Sequence, residues 1–135
     1  MKDKSIEHIN PAKMMQSPAF SQIVVTSGNG KTIYIGGQNA VNEKGELIGK
    51  GDIQGQTKQI MENIKIALEA CGASFENLIK LNIYILQGQS ALAGFQAAQP
   101  YLAGIKPPAI TGLFVSGLTH PDYLVEVEGI AFLPE

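Results

Sequence analysis

Apolar residues follow two rhythms along this chain of 135 residues. Between Asp52 and Gly72 the period is helical. Ile60, Met61, Ile64, Ala67, Leu68 and Cys71 recur at the i, i+4, i+7/8 spacing of one apolar stripe, with Glu62, Lys65 and Glu69 opposite. Asp52 stands where an N-cap acceptor belongs, and Gly72 where a C′ glycine belongs. Cys71 falls on the stripe and reads as a packed thiol rather than a nucleophile. Elsewhere the period is two. In "LIKLNIYIL", entered by a short turn that Ser74 caps, Ile79, Leu81, Ile83 and Ile85 project to one side and Lys80, Asn82 and Tyr84 to the other. "QIVVT" and "KTIYI" flank "SGNG", residues 27 to 30, which predicts a hairpin. Two further strands, about 109–116 and 124–132, end the chain.

"SALAGFQAAQPYLAG" predicts a second helix facing inward through Leu92, Phe95 and Leu102. Pro100 opposes it, because an interior proline removes a hydrogen bond and kinks or ends a helix. Residues 1–17 are polar and read as an extended arm or short edge strand. The predicted order is β-β-α-β-α-β-β, with room for an extra N-terminal strand. This is an α+β class chain: a mixed sheet with both helices on one face, in a single domain over 1–135. "IVV", "LFV" and "IAF" are apolar on both sides. A chain this short has nothing left to cover the second face, so a homo-oligomer is expected.

Composition sharpens that expectation. Hydrophobic residues make up 44% and charged residues 16%, and mean hydropathy is just above zero. Few charges fit a surface partly covered by another subunit. A formal charge of −2 without any basic run gives no attraction for a phosphate backbone, so nucleic acid is not an expected partner. A lone cysteine excludes an intramolecular disulfide framework and fits a reducing compartment. The N-terminus carries acids and lacks the apolar stretch of a secretory signal, and no apolar run is long enough to span a membrane. The expected setting is the cytoplasm.

Candidate chemistry is sparse. "GNGKT" lacks half of a P-loop, and no metal-ligand spacing or cofactor motif is present. His8 and His120 lie in polar surroundings and read as surface residues. Glu126 and Glu128, in "LVEVEGIAF", share one face of a strand. Two readings remain open for them: a solvated face, or a general acid/base in a pocket between subunits.

The order and spacing of "SPAFSQ", "IYIGGQ", "GELIGKGDIQGQTKQIMENIKIALEACGASFENLIKLNIYI", "KPPAI" and "LVEVEGIAF" resemble the RidA/YjgF family. These are the reactive-intermediate deaminases, some once described as L-PSP endoribonucleases. The resemblance covers nearly the whole chain. It implies a chorismate-mutase-like fold and a homotrimer whose sheets line a central barrel, with small-molecule pockets between subunits. Active members hydrolyse 2-imino or enamine acids to 2-oxo acids and ammonia. Their site uses an arginine that clamps the carboxylate, a tyrosine, a glycine carbonyl and a water-positioning glutamate. By motif, the glycine position is Gly37 and the glutamate position Glu126. The tyrosine position holds Phe20, and the arginine position holds Ile110.

Those departures change the expectation. An arginine fork grips carboxylate bidentately, with charge-assisted hydrogen bonds of ~1.5–3 kcal/mol each. Isoleucine offers none, and Phe20 lacks a hydroxyl. A pocket of Phe20, Gly37, Ile110 and Glu126 suits a small metabolite without a carboxylate. Standard imine or enamine hydrolysis, and so the hydrolase assignment, is disfavoured unless Lys106 or a neighbouring subunit supplies the charge. Action on RNA is disfavoured by the charge balance.

Overall fold

The computed structural model of the protein describes residues 5–135. Its elements run β1 (Ile6–Ile9), β2 (Ile23–Thr26), β3 (Gly30–Gln38), α1 (Ile53–Ala70), a 3₁₀ turn (Phe75–Asn77), β4 (Leu78–Leu86), α2 (Ala91–Leu102), β5 (Ala109–Val115) and β6 (Val125–Pro134). Four strands form one mixed sheet in the order β3-β6-β4-β5, with β4 and β5 parallel and the other pairs antiparallel. The expected α+β architecture, two helices on a mixed sheet, is present. The extra N-terminal strand is also there: β1 pairs with β2 in a separate two-stranded ribbon.

That ribbon overturns the expected hairpin, because β2 does not pair with β3. The backbone of Ser21 explains why. Its N–H donates to the Pro108 carbonyl at 2.9 Å and it bridges Ala109 in parallel, which holds it beside β5. β3 lies at the opposite edge of the sheet. The chain therefore crosses between the two edges, with Gly28 taking a left-handed turn (φ +79°) that glycine adopts freely.

α1 follows its pattern closely. Asp52 accepts from the Gln54 N–H at 3.1 Å. At the other end Gly72 (φ +75°) donates to Glu69 O and Ala73 donates to Leu68 O, the paired bonds of a Schellman stop. Ile60, Met61, Ile64 and Leu68 are buried against the sheet. Cys71 corrects its expectation: as C-cap it lies past the last helical residue and is exposed. Gln56, fully buried in the same helix, donates to the carbonyls of Gly49 (3.2 Å) and Asp122 (2.9 Å) and accepts from Leu124 N (2.9 Å). It fastens α1 to the entrance of β6.

α2 forms through Pro100 to Leu102, capped by Ser90 accepting from Ala93 N at 3.1 Å. Pro100 falls in the last turn, and the Gln96 carbonyl it would have bonded sits on an exposed residue. The expected inward stripe holds only in part: Leu102 packs against the core, whereas Leu92 is 66% exposed and Phe95 41%. Small residues, Ala91, Gly94 and Ala98, turn toward the sheet instead. In β4 a register shift between Leu78 and Lys80 breaks the alternation, so Leu78 joins Leu81 in the core and Ile79 is only half-buried. No helix among the described residues is long and apolar enough to cross a membrane.

Candidate functional site

Strand register decides which residues can meet. Ile35, Gly129, Leu81 and Ile110 lie opposite one another across β3, β6, β4 and β5, and this row faces the helices. Glu126, Tyr84 and Leu113 form a row on the other face, and Glu128, Asn82 and Thr111 form the next. Glu126 and Glu128 therefore both occupy the helix-free face. That face is mixed rather than apolar throughout. Tyr34 (77% exposed) and Leu113 are its open apolar residues, and the carboxylates, Asn82, Thr111 and Lys80 lie between them.

Glu126 is held from one side by backbone and from the other by an amide. β3 carries an extra residue between Ile35 and Gln38, where Gly36 and Gly37 stand against the single residue Glu128 of β6. A side chain on Gly37 would collide with the Glu126 carboxylate, so glycine permits the approach. Asn39 Nδ2 donates to Glu126 Oε1 at 3.2 Å and to Val125 O at 3.4 Å. Asn39 is itself anchored, because Asn63 of α1 donates to the carbonyls of Asn39 (3.2 Å) and Val41 (2.9 Å). A chain of amides thus runs from the helix layer to this carboxylate.

Glu128 is engaged differently. Tyr84 Oη donates to its Oε1 at 2.6 Å and Asn82 Nδ2 donates to the same oxygen at 3.2 Å. The tyrosine hydrogen bond, then the amide, hold the Glu128 carboxyl below the usual carboxylate range. That same bond, with lesser help from burial and both carboxylates, raises the Tyr84 phenol. Around the two acids lies a shallow depression of about 500 Å³, lined also by Val115, Leu118 and Thr119. It contains no lysine or histidine. Lys80, on the same face, donates to Thr111 Oγ1 at 2.6 Å.

Phe20 and Ile110 sit elsewhere. Phe20 precedes Ser21, which is fixed to the start of β5. Ile110 is the second residue of that strand and packs against the core from the helix side. One chain therefore brings Gly37 and Glu126 together at β3–β6, while Phe20 enters beside the start of β5, the strand that carries Ile110, at the other end of the strand order. Lys106 lines a different hollow with Ile6, His8 and Glu76. His8 corrects its surface reading. It is half-buried with an unpartnered Nε2, and burial, then Lys106, push its imidazole below the usual range. His120 is exposed and stacks on Tyr123 at 4.9 Å.

Sequence reading missed Asn39, Asn63 and Tyr84 as partners of the acids. Tyr84 was readable in principle, since it shares the polar side of β4 with Asn82. Asn39 and Asn63 carried no periodic signal, because their role depends on a loop folding back onto α1. Chemically, the arrangement offers one carboxylate fixed by an amide and a second shielded by a phenol, on an open surface. No group of three or more His, Cys, Asp or Glu residues that could hold a metal occurs among the described residues.

The family model for endoribonuclease L-PSP matches residues 12–133. A RutC family protein of Pyrococcus horikoshii is 38% identical over 103 residues, covering 76% of this chain and 80% of that protein. A RutC family protein of Sulfurisphaera tokodaii is 32% identical over 98 residues, covering 73% and 77%. Among solved structures, the Rid-family protein YyfB of Yersinia pestis superposes with a TM-score of 0.87 at 32% identity, over 96% of this chain and 99% of that one. Its relative YyfA gives 0.69 at 30% identity, over 82% and 85%. With the motif order, the two-helix mixed sheet and these matches in agreement, the chain belongs to the endoribonuclease L-PSP family, the Rid/YjgF group.

Proposed function

We propose that the protein is a homotrimer that binds a small metabolite lacking a carboxylate in clefts between subunits, and that it does not hydrolyse 2-imino acids. The carrying observation is compositional: all ten basic residues are lysines, and the 135 residues contain no arginine. A homo-oligomer can present only what its chain contains. No subunit can therefore donate the guanidinium fork that the family's carboxylate clamp uses. A lysine is a point charge and does not reproduce bidentate geometry.

Geometry supports the cleft. Gly37 and Glu126 belong to one end of the strand order and Phe20 and Ile110 to the other, so a site using all four needs a second copy. The depression at Glu126 is open on one side, and apolar Tyr34 and Leu113 flank the acids on the same face. A second subunit would close the first and cover the second. Within such a cleft Glu126, held by Asn39, can orient water or accept a hydrogen bond from a neutral ligand. The competing reading is an imine deaminase in which Lys106 replaces the arginine. It requires Lys106 of another copy, because within one chain that residue lies before β5, beyond the end of the sheet marked by Lys80 and Ala109. Glu126 pairs with Tyr84 four residues further along, which is roughly 13 Å of strand.

The test is hydrolysis of 2-iminopropanoate generated by an amino-acid oxidase, run beside an arginine-bearing relative, with mass from light scattering. Loss of a charge-assisted pair worth ~3 kcal/mol predicts a rate roughly a hundredfold or more below the relative. Equal rates, or a monomer at micromolar concentration, would overturn the proposal.

A further inference from the structure

Between α2 and the sheet lies a largely enclosed chamber of about 80 Å³. Ile83, Ile110 and Val127 form its floor, Met61 a wall, and Gly94 and Ala98 its roof. Space remains beneath this roof because α2 turns small residues inward and buries none of its side chains fully. One polar side chain enters this space. Thr57 of α1 is only 5% exposed, lines the chamber, and has a buried Oγ1 with no hydrogen-bond partner. That oxygen lies 3.5 Å from where a side chain on Gly94 would begin.

The chemistry of the walls selects the occupant. A buried hydroxyl without a partner is unfavourable, so a ligand that satisfies it gains a hydrogen bond that nothing in the chain supplies. A single water fits poorly, since a stable buried water needs two to four polar partners and the chamber offers one. A charged ligand would lose its hydration against an apolar lining. Size follows by scaling: an engineered cavity of about 150 Å³ holds benzene, so this one accommodates roughly three to four non-hydrogen atoms. Access is at hand. Phe95 and Leu102 line both the chamber and an outer hollow of about 200 Å³ that Pro18, Gln99 and Pro107 complete. Rotation of the half-exposed Phe95 ring would join the two.

We infer that the chamber is a binding site for a short-chain neutral ketone or alcohol, its carbon body among the apolar walls and its oxygen hydrogen-bonded to Thr57 Oγ1. The site lies inside one subunit, on the opposite face of the sheet from Glu126, and does not depend on the proposed cleft. Ile110 is the residue that borders it.

The full chain, labelled at Ile, Met, Thr and Val methyls, would be titrated with acetone and 1-propanol, four non-hydrogen atoms each, and, separately, equilibrated with xenon. Saturable shifts centred on Met61, Ile83, Ile110 and Val127 are expected, with acetate, a charged anion of the same size, producing none. Thr57→Val keeps the shape and removes the hydroxyl. It should weaken acetone about fivefold, the loss of one ordinary hydrogen bond, while leaving xenon unchanged. Gly94→Ala places a methyl beside Thr57 Oγ1 at ordinary contact distance in a helix that prefers alanine. It should fold normally and abolish binding of both probes. Absence of saturation, shifts centred on Tyr34 or Glu126 instead, undiminished ketone affinity in Thr57→Val, or full binding in Gly94→Ala would each overturn the inference.

Discussion

Replacing Gln56 by leucine isolates the polar fastening between α1 and the start of β6. The substitution keeps most of the volume of a fully buried side chain and removes three hydrogen bonds, at 3.2, 2.9 and 2.9 Å. Left behind are the Leu124 N–H, on a buried residue, and the Asp122 carbonyl, on a half-buried one, while the Gly49 carbonyl keeps its bond from the Asp52 N–H at 2.9 Å. Stranding a buried donor costs ~1–3 kcal/mol, and a carbonyl that water can still reach costs less. The extra apolar surface of leucine returns ~1 kcal/mol at most. A net loss of about 2 kcal/mol follows, and for a domain of this size that lowers Tm by roughly 8 °C.

Thermal denaturation at one fixed protein concentration is the assay, because the Tm of an oligomer depends on concentration. Gln54→Leu, an exposed position two residues earlier in the helix, is the control and should lie within about 2 °C of wild type. Hydrogen exchange adds a local readout: the Leu124 amide should lose protection in Gln56→Leu and keep it in the control. A Tm drop under about 3 °C with Leu124 still protected would refute the reasoning, since the bonds would then be replaceable by water.

Two pH effects follow from the structure. Tyr84→Phe removes the first cause of the depressed Glu128 carboxyl, so its titration midpoint, followed by carboxyl NMR, should move up toward the ordinary glutamate range. In the wild type the stability linked to Glu128 is present above the unfolded carboxylate pKa and is lost as pH falls through the lower folded value; an unmoved midpoint in Tyr84→Phe would sink this account. The His8 imidazole is depressed by burial and Lys106, so its contribution is present above the unfolded value of 6.5 and is lost as pH falls through the folded pKa. Protection factors of amides in the β1–β2 ribbon, taken relative to the intrinsic exchange rate at each pH, should therefore fall on acidification, and His8→Gln should flatten that dependence.

What the sequence disclosed was what local chemistry determines. α1 could be bounded to the residue because an acceptor at Asp52 and a glycine at Gly72 act on their own backbone neighbours. The face shared by Glu126 and Glu128 followed from strand alternation. Failures occurred where a distant partner intervened. "SGNG" is a sound hairpin signal, yet Ser21 is captured by Pro108 and Ala109 at the far edge of the sheet, so β2 takes β1 as its partner. Counting in twos puts Ile79 on the same side as Leu81, which a single extra residue in β4 defeats. Cys71 fits the helical period, but the helix has stopped one residue earlier. Gly37 and Glu126 were named by motif and do meet, whereas the pairing of each acid with Asn39 or Tyr84 depends on tertiary placement that no period encodes.

Ile110 joins the two functional readings. Its row, Ile35–Gly129–Leu81–Ile110, faces the helices, and the Glu126–Tyr84–Leu113 row faces away. An ionic side chain at 110 would border the apolar chamber and would have to reach around the β5 edge to meet a ligand near a neighbouring carboxylate. Isoleucine has no such conflict, because it packs against the core cluster and completes the chamber floor. On the proposed reading, the same residue stands where the resemblance implies a cation, and it adds an apolar wall on the helix side. Because the chain contains no arginine elsewhere, no arrangement of identical subunits restores the fork. The absence of arginine thus argues against carboxylate clamping in the proposed cleft, while the enclosed apolar space lies on the helix-facing side of the sheet.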